Sequence, residues 1–242
     1  GIRAYYASRG LGDVYKRQEA LSGGIGTCIC AENVKKIAQE VKALYDENVQ
    51  IGIVVGAGNI WRGRDASLNE MERASADYMG MLGTVLNALA LQNALEGLGI
   101  ETRTMTSLSI PSVAEPYLRR KALHHLEKNR VVIFAGGTGN PFFSTDTAAA
   151  LRAAEMHADM ILMAKNGVDG VYTADPNKDP KATKYDVLTY DELLKKHLEV
   201  MDLTAATLCN ENNIKIFVFD MNVAGNIKRA INDHSIGTLI QK

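Results

Sequence analysis

Short apolar runs that empty into glycine-rich turns and then into helix-favouring segments constrain this chain more than any other feature. The clearest is Val131-Val132-Ile133-Phe134, which leads through Gly136-Gly137-Thr138-Gly139-Asn140-Pro141-Phe142-Phe143-Ser144-Thr145-Asp146 into an Ala-rich stretch from Thr147 to Met156. A strand, a glycine turn and a helix start in that order form an oxyanion cradle. The glycines let backbone come close, free amides point at the anion, and the helix dipole adds partial positive charge. Hydroxyls of Thr138, Ser144 and Thr145 can add bonds to phosphate oxygens, and Phe142 and Phe143 offer an apolar wall for a base or sugar. A lone glycine turn also occurs in loops that bind nothing. Here there is a second: Ile51-Gly52-Ile53-Val54-Val55 runs into Gly56-Ala57-Gly58-Asn59 and then Trp61-Arg62-Gly63, with an arginine suited to bidentate phosphate contacts. Turns at the carboxyl ends of strands are where open α/β sheets bind ligands. Two of them supply the anion-holding backbone that a two-substrate phosphoryl transfer needs.

The rest of the chain alternates in the same way. Val34, Ile37, Ala38, Val41, Leu44 and Tyr45 recur at helical spacing and predict a helix from about 33 to 48. A strand at 51–55, a long helix over 74–98 closed by Gly99, short strands near 101–105 and 130–135 around a helix at 115–127, a helix at 146–156 and a strand at 160–163 follow. The polar, Pro-bearing stretch 175–185 reads as a loop able to fold over a ligand. A helix at 202–212, a strand at 214–219, a helix near 223–231 and a terminal strand at 237–240 complete the chain. Strands alternating with helices predict an α/β fold, a mainly parallel sheet covered on both faces.

At 242 residues and 46% hydrophobic content, one large core is within reach. The net charge of −1, from 27 basic and 28 acidic residues, gives no reason to expect nucleic acid as a partner. Cys28, Cys30 and Cys209 do not suggest a disulfide framework, and Cys28-x-Cys30 lacks a second ligand pair at zinc-site spacing. The apolar stretch from Tyr78 to Leu98 is broken by Asn87, Gln92, Asn93 and Glu96, so it reads as a buried helix and not a membrane span. A cytoplasmic setting is expected. Residues 1–18 differ from the rest: they show no apolar alternation, no signal-peptide core and no amphipathic helix. They read as a leader foreign to the fold, which leaves 19–242 as one domain.

The runs Gly56-Ala-Gly-Asn-Ile-Trp-Arg-Gly63, Ala76-Asp-Tyr-Met-Gly-Met81, Gly137-Thr-Gly-Asn-Pro-Phe-Phe143, Val168-Asp-Gly-Val-Tyr-Thr-Ala-Asp-Pro176 and Val200-Met-Asp-Leu203 resemble the bacterial uridylate (UMP) kinases, of the amino-acid-kinase superfamily, over about 19–242. The resemblance implies the superfamily's three-layer α/β/α sandwich and transfer of the ATP γ-phosphoryl group to UMP, without a Walker A loop. It implies that Ala57, Asp77 and the stretch Thr138, Gly139, Asn140, Pro141, Phe142, Phe143, Ser144 and Thr145 contact UMP, with Asp77 placed to accept ribose hydroxyls. Gly58 and Arg62 fall near the transferring phosphates, and Asn166, Tyr172 and Asp175 near ATP. Lys165 is implied as the cation that neutralises the transferred group, and Asp146 as the acid that holds catalytic lysines. Bland readings stand beside these. Without the resemblance Asp77 reads first as a solvated helix charge; Asp146 reads equally as an acid favoured by a helix dipole, and Asp169-Gly170 and Asp175-Pro176 read as surface turns. No cage of carboxylates is visible, so Mg2+ is expected to travel with the ATP phosphates. A homohexamer, activation by GTP and inhibition by UTP are further implications.

Two departures matter. The family opens with a strand ending in Lys-Leu-Ser-Gly before Glu-Ala-Leu, whereas Tyr15-Lys16-Arg17-Gln18 precedes Glu19-Ala20-Leu21 here. Lys16 is one residue out of register, which in a strand sends its side chain to the opposite face. Ala57 stands where the family usually has glycine. The first departure motivates an alternative, a nucleotide-binding but catalytically impaired member. A superfamily kinase acting on a small acid is opposed by the two phenylalanines, and a dinucleotide oxidoreductase by the missing third glycine after Gly56-x-Gly58.

Overall fold

The structure is a computed structural model that describes residues 29–61, 71–165, 167–176, 178–196, 198 and 200–242, together with the backbone of 3–8. In chain order its elements are β1 (Arg3–Ser8), α1 (Ala31–Tyr45), β2 (Gln50–Val55), α2 (Arg73–Glu96), β3 (Thr102–Thr106), β4 (Glu115–Pro116), α3 (Arg119–Glu127) and β5 (Val131–Ala135). Next come α4 (Thr145–Met156), β6 (Met160–Lys165), β7 (Val171–Tyr172), β8 (Lys184–Tyr185), β9 (Val187–Thr189) and α5 (Tyr190–Lys195). The chain closes with α6 (Leu203–Glu211), β10 (Lys215–Asp220), α7 (Asn226–Arg229) and β11 (Gly237–Gln241).

The strands form a nine-stranded sheet in the order β4-β3-β5-β2-β1-β6-β10-β11-β9. Neighbours run parallel except β10 and β11. Side chains alternate across each strand, so the sheet feeds two cores. Ile51, Ile53 and Val55 of β2 and Val131 and Ile133 of β5 meet α1 and α2 residues such as Val41, Leu44, Leu91 and Leu95 on one face. Val54, Val132 and Phe134 point the other way, against Ala122 and Leu126 of α3 and Ala149, Ala153 and Met156 of α4. The sandwich is therefore the one the amino-acid-kinase resemblance implies.

The differences from the sequence reading are local. Residues 1–18 carry no strand periodicity, yet the backbone of Arg3–Ser8 fills the central slot, paired in parallel with Gln50–Val55 on one side and with Met160–Ala164 on the other. A slot between two ladders satisfies backbone groups on both edges, which favours an extended segment there whatever its apolar pattern; two tyrosines add strand preference. Positions 9–28, including Tyr15 to Gln18, lie outside the described residues. The helix expected at 115–127 starts only at Arg119, because Glu115–Pro116 pairs with Met105–Thr106. The loop expected over 175–185 is flanked by the hairpin β7–β8. No described helix is long and apolar enough to cross a membrane.

Candidate active site

β2 and β5 are neighbours in the sheet, in register as Gly52↔Val132, Ile53↔Ile133 and Val54↔Phe134. Their carboxyl ends therefore deliver the two glycine turns side by side, although almost eighty positions separate them in the chain. Helix α2 passes beside both. Together they enclose a cleft of about 540 Å3.

Of the residues implied to contact UMP, Ala57, Asp77, Thr138 and Asn140 line this cleft, as do Phe142, Phe143, Ser144 and Thr145. Gly58 and Asp146 line it too. Gly139 and Pro141 do not. Gly139 has φ +85° and packs against Ser107, where a Cβ would come within 3.1 Å of the serine Cβ, so it shapes the turn and leaves the wall to its neighbours. Phe142 also has positive φ, +72°, and its ring is exposed. That backbone is held by Asp77, whose Oδ2 accepts the Phe142 amide at 2.8 Å while Arg73 Nε donates to the same carboxylate at 2.9 Å. A carboxylate has about four acceptor sites, so capacity remains for a ligand hydroxyl. The Arg73 guanidinium also lies 5.9 Å from the Phe142 ring centroid.

Ser144 caps α4, accepting the Thr147 amide at 3.1 Å. Its hydroxyl also bonds Asp202 Oδ2. Asp202 accepts from Thr147 Oγ1 at 2.9 Å and from the Ala205 amide at 2.9 Å, so one carboxylate caps α6 and ties it to the start of α4. Lys165, at the carboxyl end of β6, donates to the Val200 carbonyl at 2.6 Å. The turn at 200–202 thus joins the lysine to the α4 N-terminus.

Behind the second turn lies Arg152 of α4, buried at 4% exposure. It donates to Ser107 Oγ at 2.8 Å and pairs with Glu155 at 2.5 Å, with its guanidinium 3.7 Å over the Tyr117 ring. Ser107 in turn donates to the Gly137 carbonyl at 3.0 Å. Burial, and then the bond to Glu155, push the Tyr117 phenol well above its ordinary range.

Tyr172 and Asp175 do not line the cleft. Tyr172 sits on β7 and donates to Asp169 Oδ1 at 2.6 Å, while Lys184 of β8 reaches Asp169 Oδ2 at 3.0 Å. Burial draws the Asp169 carboxyl up, but the bonds from Tyr172 and Lys184 outweigh it and hold it below the usual range. The Tyr172 phenol moves up, chiefly through that same bond. Val171 is anchored to the sheet by its amide, which donates to Thr238 Oγ1 at 2.8 Å. Asp175 opens a turn, its carbonyl accepting the Lys178 and Asp179 amides at 3.0 and 2.9 Å. Arg62 and Asn166 lie outside the described residues.

The cleft also recruits Trp61 and Met81, which the motifs contain without a role assigned, and Arg73 and Thr84, which lie outside them. A helical signal was available for three of them, since positions 73, 77, 81 and 84 repeat at the three-to-four spacing of one helix face. Trp61 is the single tryptophan of the chain, which makes it an optical reporter of the cleft.

Residues 23–220 match the model of the amino acid kinase family. A Pediococcus pentosaceus protein named uridylate kinase is 57% identical over 223 residues, covering 92% of each chain. The crystal structure of UMP kinase from Ureaplasma parvum superposes with a TM-score of 0.90 at 35% identity, over 100% of this chain and 98% of the other. That of UMP kinase from Bacillus anthracis gives 0.89 at 36% identity, over 99% and 95%.

Proposed function

The chain belongs to the amino acid kinase family, and we propose that within it the protein works as a uridylate kinase, transferring the γ-phosphoryl group of ATP to UMP. The observation that carries this reading is the single cleft in which both glycine turns, Asp77 and the two phenylalanines come together. A nucleoside monophosphate needs such a combination: amides and hydroxyls for phosphate, a carboxylate for ribose hydroxyls, and an apolar wall for the base.

In the reaction a phosphate oxygen of UMP forms the new bond to the γ-phosphorus, the bond to the β–γ bridging oxygen breaks, and ADP leaves with UDP as the other product. Phosphoryl transfer asks the protein mainly for positioning and charge neutralisation. Ala57 and the turn residues Thr138 and Asn140, with Ser144 and Thr145, hold the UMP phosphate, and Gly139 and Pro141 shape the turn that carries them. Phe142 and Phe143 flank the base, and Asp77 takes the ribose. Gly58 and Arg62 approach the transferring group. Lys165 brings positive charge from the end of β6, and Asp146 orients it. Tyr172 and Asp175 address ATP from beside the cleft, and Asn166 is assigned to ATP with them. Mg2+ would be held by the nucleotide's phosphates, where it would lower their charge. Exposed Tyr78, Met79, Leu82 and Leu86 on α2 support self-association, which we take to be a homohexamer, with GTP as activator and UTP as inhibitor. Its place is pyrimidine nucleotide biosynthesis in the cytoplasm.

The test is ADP release from ATP and Mg2+ with UMP, then CMP, as acceptor. It uses the chain as it stands and a variant carrying Tyr15→Lys, Lys16→Leu, Arg17→Ser and Gln18→Gly. UMP-dependent turnover by either supports the reading. Turnover by the variant alone assigns the lysine restored at position 15 an essential part, on the order of 10²–10³ in rate. No turnover by either, with both folded, overturns it.

A further inference from the structure

Two buried polar side chains on α2, the cleft-lining Thr84 and Asn87 behind it, carry no role in the reaction described above. Asn87 is 0% exposed and Thr84 6%, among the apolar neighbours Val85, Ala88 and Leu91. Each reaches the first residue of a different glycine turn. Asn87 Nδ2 donates to the Gly56 carbonyl at 2.7 Å and to Asn59 Oδ1 at 2.8 Å, and Asn59 Nδ2 returns a bond to Asn87 Oδ1 at 3.0 Å. Thr84 Oγ1 accepts the Gly136 amide at 2.8 Å and donates to the Met81 carbonyl at 2.6 Å. Gly136 has little freedom of its own: with φ +74°, a Cβ there would lie 2.9 Å from Thr106 Oγ1. The two turns are thus fastened to one helix at points three residues apart, about 4.5 Å along its axis.

We infer that Thr84 and Asn87 are positioning residues whose bonds fix the separation of the two glycine turns and, through it, the alignment of the acceptor phosphate with the transferred group. The inference rests on the kinase reading. A buried helix has ample apolar residues with which to pack, whereas a polar group in its core is costly unless bonded. Both residues spend their bonding capacity on the turns or on the helix's own backbone. Each turn would still bind its own anion if the fastening were lost, but the reacting atoms would no longer be held in line. A misplacement of about 1 Å costs on the order of 10² in rate.

The decisive variant is Thr84→Val, which keeps the shape and removes the acceptor, with Thr84→Ser restoring the hydroxyl. Both are made in whichever parent turns over UMP. The inference predicts that kcat falls roughly 10- to 100-fold in Thr84→Val, that KM for UMP and ATP stays within a factor of about three, and that Thr84→Ser recovers most of the rate. Should Thr84→Val fail to fold, judged by Trp61 fluorescence and thermal melting, Asn59→Ala carries the test on the first turn, with the same fall in kcat and an unmoved KM. A lowered Tm with kcat intact, a raised KM with kcat intact, or no recovery in Thr84→Ser would each overturn the inference while leaving the kinase reading in place. If no parent turns over UMP, the kinase reading fails first and takes the inference with it.

Discussion

Gly83 and Ala57 meet where α2 crosses the first glycine turn, and one methyl group occupies the space between them. A Cβ at Gly83 would lie 2.9 Å from the Ala57 Cβ, closer than real Cβ atoms approach. Ala57 is therefore accommodated by a glycine on the helix. Glycine inside a helix costs about 1 kcal/mol relative to alanine, and overpacking costs about 1–3 kcal/mol. Gly83→Ala alone should consequently lower Tm or leave it unchanged. In the Ala57→Gly background the same substitution should raise stability by up to about 1 kcal/mol. A thermal double-mutant cycle measures the coupling, and additive effects would show that the two positions do not share that space.

At the scale of elements, Asp202 is the joint between α4, α6 and the end of β6. Its carboxylate caps α6 through the Ala205 amide and takes the hydroxyls of Ser144 and Thr147, while the adjoining Val200 carbonyl receives Lys165. Losing a helix cap costs about 0.5–2 kcal/mol, and the two hydroxyls would lose their acceptor as well. Asp202→Ala is expected to be destabilised by about 2 kcal/mol or more, and Asp202→Asn, which keeps one acceptor oxygen, by less. Chemical denaturation of both variants checks the order; equal losses would mean the charge and not the bonding geometry matters. Elements also mark where the sequence was legible. Long periodic segments such as Ala31–Tyr45 and Arg73–Glu96 were read within a few residues. The hairpin Val171–Tyr172 with Lys184–Tyr185 was not, because strands of two residues carry no periodicity and this pair is fixed from outside by Thr238. Ser144 was read only as a hydroxyl for phosphate; its capping of α4 and its bond to Asp202, far along the chain, come together only on folding.

At the scale of the whole molecule, global stability should fall on the alkaline side. Cys209 is fully buried between α6 and the sheet, and burial pushes its thiol up to about 12; burial raises the Tyr190 phenol beside it as well. An acid whose folded pKa lies above its unfolded value keeps its proton after the unfolded chain has lost it. Stability is then complete below about pH 8.5 and declines from there toward pH 12, by about 1.4 kcal/mol per unit for one group. Cys209→Ala should flatten that limb, and an unchanged slope in urea denaturation from pH 8 to 10.5 would contradict the assignment. The same scale explains what the motifs could not reveal about the site. Each glycine turn was legible as an anion cradle, but their union depends on β2 lying next to β5, a pairing set by the packing of the whole sheet. Tyr172 and Asp175, implied to lie near ATP and not among the UMP contacts, sit on a separate hairpin and turn. The central claim is that the united cleft is the UMP site, and titration of Trp61 fluorescence with UMP tests it most directly. The account predicts a saturable change with UMP in the parent chain and an affinity lower by roughly 10- to 100-fold in Asp77→Ala, the loss of charge-assisted bonds worth about 1.5–3 kcal/mol. Equal affinity in parent and variant, both folded, would contradict it.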